Sequence, residues 1–363
     1  MKKILVVTLA VIVIGALIFG GCAEPAPAPA PAHAPAPAPV EPEVIVLTYS
    51  DEQQPNSWDA EKSIKPWLED MENATGGRIK WEPYWSNTLS KAPDNWEAVK
   101  SGIADSAFCM MGFWPGLCPL SDVISLPLIG IETGEQGAAV EWELYETFPA
   151  IQDQFKDVHL MAMGCAYPYN ILTADKQVKT IEDIKGLKLR VSGGTPTEYF
   201  KALGASPMMV PMPDVYLNLQ KGVLDGAVVP WSALEIFKFY ESARNIAIIP
   251  TYSPWATRIM NLEKWNSLPP DIQDAINSVN GLERCKHWGK WTFDEANAAA
   301  RQTIKDAGYE MIEYKLPPEE VARWQEAAEP FWQKWVDDTT AAGYPEAQEV
   351  LDKTLELLDK YRP

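Results

Sequence analysis

Histidine is nearly missing. The chain of 363 residues has three, His33, His159 and His287. That excludes HExxH and paired Cys/His zinc patterns. Cysteine is scarce too, at five, and none form a CxxC pair. Cations are outnumbered, 31 Lys plus Arg against 50 Asp plus Glu, for a formal net charge of −19. Nucleic acid is thereby disfavoured as a partner, because phosphate binding needs clustered cations that release counterions. No GxSxG, P-loop or GxGxxG lies between a strand and a helix, so nucleophilic and nucleotide chemistry have no candidate. Acidic pairs such as Glu182/Asp183 and Glu319/Glu320 read as solvated helix surface. No catalytic residue, metal or cofactor is expected.

Long apolar runs are also lacking, with one exception. Lys2 and Lys3 precede a stretch from Ile4 to Phe19 that is apolar but for Thr8 and Gly15. It reads as a signal peptide, somewhat short for a membrane span. The following Gly20-Gly21-Cys22 resembles a bacterial lipobox, which makes Cys22 the candidate lipidation site, although Phe19 stands where Leu is usual. A single membrane anchor is the alternative. In both cases the rest of the chain is expected outside the cytoplasm and tethered. Residues 23–43 hold eight of the 31 prolines in a Pro/Ala alternation that favours polyproline II. At ~3.1 Å per residue this tether reaches roughly 65 Å. Loss of Lys2 and Lys3 would take the net charge to −21. Export permits disulfides among Cys109, Cys118, Cys165 and Cys285, in three pairings. Buried free thiols are the simpler reading, given the apolar SAFCMM around Cys109.

The remainder alternates strands and helices. Strand patterns run over VIVLTYS (44–50), which reads as buried, RIKWEPY (78–84), ADSAFCM (104–110), VHLMAMG (158–164) and YNILTA (169–174). They continue at KLRVS (188–192), GAVV (226–229), NIAII (245–249) and TRIMNL (257–262). Ser57 is a candidate N-cap for a helix with Ile64, Trp67, Leu68 and Met71 on one face, in which Pro66 predicts a kink or a late start. Other helices are expected after Thr133 (134–148), around Trp96 and Val99, at about 197–203 and near 214–221. Residues 270–307 read as one long helix or two abutting ones. The alternation implies α/β architecture with mainly parallel sheets, two domains and a cleft.

Ligands of such sheets bind beyond the carboxyl ends of the strands. Those ends here carry Trp58, then Phe113 and Trp114, then Tyr167 and Tyr169, and then Trp231. One strand carries Arg190 and is followed by Gly193-Gly194 at a helix start. A guanidinium grips a carboxylate through two parallel hydrogen bonds, and the helix start adds N–H donors. A ligand with an apolar or aromatic body and one anionic group is implied. Each of these side chains taken alone is more simply read as core or surface.

Three stretches carry a family resemblance: TGGRIKWEPY (75–84), VKTIEDIKGLKLRVSGG (178–194) and ALGASPMMVPMPDVYLNLQKGVLDGAVVP (202–230). The chain resembles the DctP-type solute-binding subunit of tripartite ATP-independent periplasmic (TRAP) transporters from Val44 to beyond Ala307. The resemblance implies a two-domain α/β periplasmic solute-binding fold joined by crossing strands, with a long helix along both domains. It implies capture by domain closure and delivery to an ion-gradient-driven membrane permease. By the match of GLKLR, the carboxylate-binding arginine falls on Arg190. A second family arginine falls on Tyr169, an asparagine on Val229 and a phenylalanine on Met212. With those polar partners gone, a monocarboxylate with an apolar or aromatic body is the expected ligand, because unpaired polar groups cost ~1–3 kcal/mol each.

The expected ligand-binding set is Arg190, Trp231, Tyr169, Trp58, Phe113, Trp114, Met212, Val229 and Gly193. The expected domains are 44–167 plus about 254–290, and about 168–253 plus 291–363, after the signal peptide (1–22) and tether (23–43). A sensory protein presenting its ligand to a receptor would have the same sequence features. An exported enzyme on the same scaffold would need a nucleophile–base pair, and the sequence offers none.

Overall fold

The computed structural model describes residues 44–363. The expected signal peptide, the candidate lipidation site Cys22 and the expected Pro/Ala tether lie outside them. Two sheets are formed. The first has strand order β2-β1-β3-β10-β4, the second β11-β9-β5-β8-β6-β7. In the first sheet β1 is Ile45–Ser50, β2 Ile79–Tyr84, β3 Ser106–Met110, β4 Val158–Cys165 and β10 Trp255–Asn261. In the second β5 is Asn170–Thr173, β6 Lys188–Val191, β7 Ser206–Met209, β8 Gly226–Val229, β9 Asn245–Ile248 and β11 Ile312–Lys315. The edge strands β7 and β11 are only four residues long and largely exposed, and they escape the sequence pattern.

The sheets are mixed, not mainly parallel. β10 is antiparallel to β3 and β4, and β5 is antiparallel to β8 and β9. The reason is chain routing. β4 runs on into β5, and β9 runs back into β10, so two segments cross between the sheets in opposite directions. They hydrogen-bond on the way: Ala166 N–H donates to the Pro254 carbonyl (2.8 Å), Tyr169 N–H to Tyr252 (2.9 Å) and Thr251 N–H to Tyr169 (3.0 Å). The crossing is thus a two-stranded ribbon. β1 is buried only in part: Leu47 and Tyr49 are covered, whereas Val46 stays 55% exposed.

The helix after Ser57 does not start late. Ser57 Oγ accepts from Ala60 N–H (3.2 Å) as winding begins at Trp58, the chain passes through a wide π turn at Ala60–Ile64, and α-helix continues from Lys65 through Pro66. The wide turn just before Pro66 accommodates its ring and its missing N–H. Thr133 caps Gly134–Thr147, its side chain accepting from Gln136 N–H.

Residues 270–307 are two helices. Pro270–Ser278 ends before Gly281, whose φ of +99° breaks the run. The second comprises Leu282–Trp288, a π segment Gly289–Glu295 and Ala296–Asp306. It buries Cys285 and Trp288 in the core of the first sheet and Ala300 and Ile304 in a core of the second. The 24-residue helix Pro318–Ala341 also serves both, with Trp324 and Ala328 on the second sheet's other core and Trp335 and Val336 on the first. Pro330 lies inside it. The last helix, Ala347–Lys360, buries Val350, Leu357 and Leu358 in the first core, although the expected boundary gave 291–363 to the second domain. No described helix is long and apolar enough to cross a membrane.

Candidate ligand-binding site

A cavity of about 70 Å³ lies where strand ends of the two sheets face each other. From the first sheet's side come Asp51 and Glu52 after β1, Asp59, Phe108 and Met110 of β3, and Arg258 of β10. From the second come Tyr169, Met212 and Pro230, with Ser232 and Ile236 of the helix that follows β8 and Phe237 just beyond it. Trp288, Thr292 and Phe293 of the crossing helix close one wall.

Arg190 sits in β6 between β7 and β8 and is 5% exposed. Its Nε donates to the Val210 carbonyl (2.9 Å) and its Nη1 more weakly to that of Val228 (3.4 Å). Both acceptors are neutral. No carboxylate lies within ion-pair distance of it among the described residues. The backbone therefore fixes the guanidinium without neutralising it. Tyr169 stands beside it. Burial pushes the phenol well above its usual range, and the Arg190 charge opposes this. Burial also pushes the Glu52 carboxyl up to about 7; Asp51 adds to the effect and Arg190 works against it.

Sequence reasoning gave Arg258 no role. Its guanidinium is clamped between Trp67 and Trp288, 4.5 and 4.1 Å from the ring centres. Such stacking stabilises a desolvated cation. Asp51 accepts from the Tyr49 hydroxyl (2.7 Å) and from Gln53 N–H (2.9 Å). Burial raises the Asp51 and Asp59 carboxyls above their usual values, with Arg258 opposing.

At the rim the two sides touch. Gly112, just after β3, meets Ser192 and Gly193, just after β6. A Cβ on Gly112 would lie 2.4 Å from the Ser192 carbonyl oxygen, and one on Gly193 2.5 Å from that of Gly112. Gly193 also has φ +102°. These positions admit only glycine without movement.

The expected site residues therefore divide. Tyr169 and Met212 line the cavity, Arg190 adjoins it beside Tyr169, and Gly193 meets Gly112 where the two sheets approach each other. Val229 is wholly buried in a core of the second sheet. Trp231 faces away: its ring lies under Arg301 (4.3 Å) and borders a larger hollow on another face with Asp294 and Asn297. Trp58 donates Nε1–H to the Trp291 carbonyl (2.7 Å) and borders a separate groove. Trp114 packs at a tilt against Trp96 (6.3 Å between ring centres) beside the first core, with Phe113 next to it. A strand end locates a side chain in sequence but does not set its direction. The four described cysteines are buried and free. His159 stacks on Trp265 at 3.6 Å, and burial depresses its pKa to about 4.

Comparison with known proteins agrees with this geometry. Residues 50–338 match the family described as bacterial extracellular solute-binding protein, family 7 (DctP). Over 299 residues the chain is 27% identical to the C4-dicarboxylate-binding periplasmic protein DctP of Rhodobacter capsulatus, covering 79% of this chain and 85% of that one. A TRAP solute-binding protein from Rhodoferax ferrireducens T118, solved with copurified benzoate, superimposes with a TM-score of 0.82 at 27% identity, over 88% of this chain and 98% of that one. A marine metagenome TRAP solute-binding protein specific for aromatic acid ligands, solved with 3-hydroxybenzoate, matches with a TM-score of 0.82 at 27% identity, over 88% and 100%. These relatives are binding proteins rather than enzymes. With most of its length matched by the family and by solved members of it, the chain belongs to the DctP family, the TRAP-type bacterial extracellular solute-binding proteins of family 7.

Proposed function

We propose that this protein captures an aromatic or apolar monocarboxylate in the cleft between its sheets, with Arg190 as the carboxylate grip, and delivers it to a TRAP permease. The observation that carries this reading is Arg190, nearly buried, held by two carbonyls and lacking an anionic partner among the described residues. A buried cation without a counter-charge is costly, and a ligand carboxylate would remove that cost. Tyr169 and Met212 offer ring and thioether surface rather than further cations. The benzoate and 3-hydroxybenzoate held by two related structures are of this chemical class, and the C4-dicarboxylate named for the Rhodobacter relative is not.

The lobes would be 44–167 with about 254–290, and 168–253 with the chain from 291, the C-terminal segment from Trp335 resting on the first. An engineered cavity that takes benzene measures about 150 Å³, about twice the present cleft. Entry then requires the lobes to part and close again about the ribbon between them. Cys22 would carry the lipid that holds the protein at the membrane, and residues 23–43 would give it reach.

A thermal-shift series with benzoate, phenylacetate and succinate tests the reading. At 100 times Kd a ligand stabilises by ~2.7 kcal/mol. At roughly 2 °C per kcal/mol for this size, the midpoint rises by about 5 °C. Arg190→Ala is expected to abolish the shift. A shift retained in Arg190→Ala, or succinate bound more tightly than every monocarboxylate, would overturn the proposal.

A further inference from the structure

Arg258 presents an unmet requirement on the first sheet's side of the cavity, whereas Arg190 belongs to the second sheet. Arg258 is 1% exposed, and its Nε and Nη1 have no hydrogen-bond partner among the described residues. Only Nη2 has one, Ser63 Oγ at 3.4 Å. Asp59 is 8% exposed and its Oδ1 has no partner at hydrogen-bond geometry; nor has Thr292 Oγ1, although Thr292 lies close enough to the Asp59 carboxyl to oppose the effect of burial on it. All three residues line the cavity. Arg258 and Asp59 sense each other's charge, yet no ion pair forms between them within 4.0 Å. An unpartnered buried donor faces the same small space as an unpartnered buried acceptor.

Stacking between Trp67 and Trp288 fixes the guanidinium plane and leaves its edge as the working surface. The chemistry of the missing group follows from the pair. A carboxylate would satisfy Arg258 but would stand against Asp59 and Asp51. An ammonium would satisfy Asp59 but would stand against Arg258. A neutral hydroxyl accepts from one and donates to the other. We propose that Arg258, Asp59 and Thr292 form a second polar subsite that recognises a hydroxyl on the ligand's end remote from its carboxylate. Resting on the reading of Arg190 as the carboxylate grip, the inference deepens it. The protein then selects hydroxylated aromatic or aliphatic monocarboxylates over plain ones, and over dicarboxylates.

The test is calorimetric titration of the purified mature protein with benzoate, 3-hydroxybenzoate, 4-hydroxybenzoate and terephthalate. At least one hydroxybenzoate is expected to bind about tenfold more tightly than benzoate, the worth of one hydrogen bond to a charged partner. Terephthalate is expected to bind more weakly than benzoate. Asp59→Leu and Thr292→Val should each lower the ratio of hydroxybenzoate to benzoate affinity toward one. Arg258→Met should abolish it, and the other two variants decide the matter if this one fails to fold. Equal binding of benzoate and both hydroxybenzoates, with Arg190→Ala still abolishing all three, would overturn the subsite and spare the carboxylate grip. A hydroxyl advantage that survives in Asp59→Leu and Thr292→Val would do the same. Binding of none of the acids would overturn both.

Discussion

Gly112→Ala separates closure from folding. Gly112 does not have a positive φ, so alanine strains nothing in its own backbone. The added carbon meets one obstacle, the Ser192 carbonyl oxygen across the rim, at 2.4 Å. Ordinary contact begins near 3.4 Å, so the two rims must part by about 1 Å. Overpacking of this kind costs about 1–3 kcal/mol. If the free protein is open, that cost falls on the closed, ligand-bound form alone. Benzoate affinity should then fall about 5- to 150-fold, at 1.4 kcal/mol per tenfold, while the unfolding midpoint of the free protein stays at the wild-type value. Calorimetric titration and a thermal melt without ligand give the two numbers. Small-angle scattering should show the variant failing to contract when benzoate is added. Wild-type affinity in Gly112→Ala would refute the reasoning. So would an equal penalty in the free protein's stability, because the rims would then be in contact without ligand.

Other outcomes follow from the same geometry. Glu52, held up to about 7, keeps a proton in the folded chain that the unfolded chain releases from its ordinary value of 4.5. Stability should therefore fall as pH rises from 4.5 to 7, with the penalty complete above 7. Glu52→Gln should melt higher than wild type at pH 8 and level with it at pH 4. Wild-type benzoate affinity should weaken between pH 6 and pH 8, as charge returns near Arg190, and the variant should bind equally at both; a wild-type profile in the variant would remove Glu52 from the site. Trp231→Ala should lower stability by about 3–5 kcal/mol, the usual cost of deleting a buried indole, and leave the benzoate Kd unchanged. A tenfold rise in Kd would bring that ring into the ligand site after all.

Much of the fold was legible because the central strands are apolar runs bounded by turn residues. The edge strands were not: SPMM and IEYK are short, carry a proline or charges and are largely exposed. Strand direction was legible only in part, since β5 and β10 reverse in order to carry the chain between sheets. Arg190 was legible twice, as a cation in an apolar strand of an acidic protein and through the GLKLR match. Arg258 gave the first signal equally, inside TRIMNL, but its meaning depends on Trp67 and Trp288. Those rings come from segments far away in sequence, and no local pattern announces that they will sandwich a strand residue. The carboxylates after β1 were passed over for Trp58, yet Asp51, Glu52 and Asp59 line the cavity and the indole does not. Aromatic residues at strand ends mark a region, and packing decides which of them turn inward.

Two helices pass from one core to the other, and each is irregular where it crosses. Gly289–Glu295 is wound as π turns between Trp288 and Ala300, and Pro330 interrupts the bonding of the other between Ala328 and Trp335. A regular helix of 24 residues is a rod about 36 Å long, and two such rods fastened to both lobes would hold them at one angle. Interrupted at these points, each helix can change direction between the two cores, so that one helix offers an apolar face to each sheet in turn.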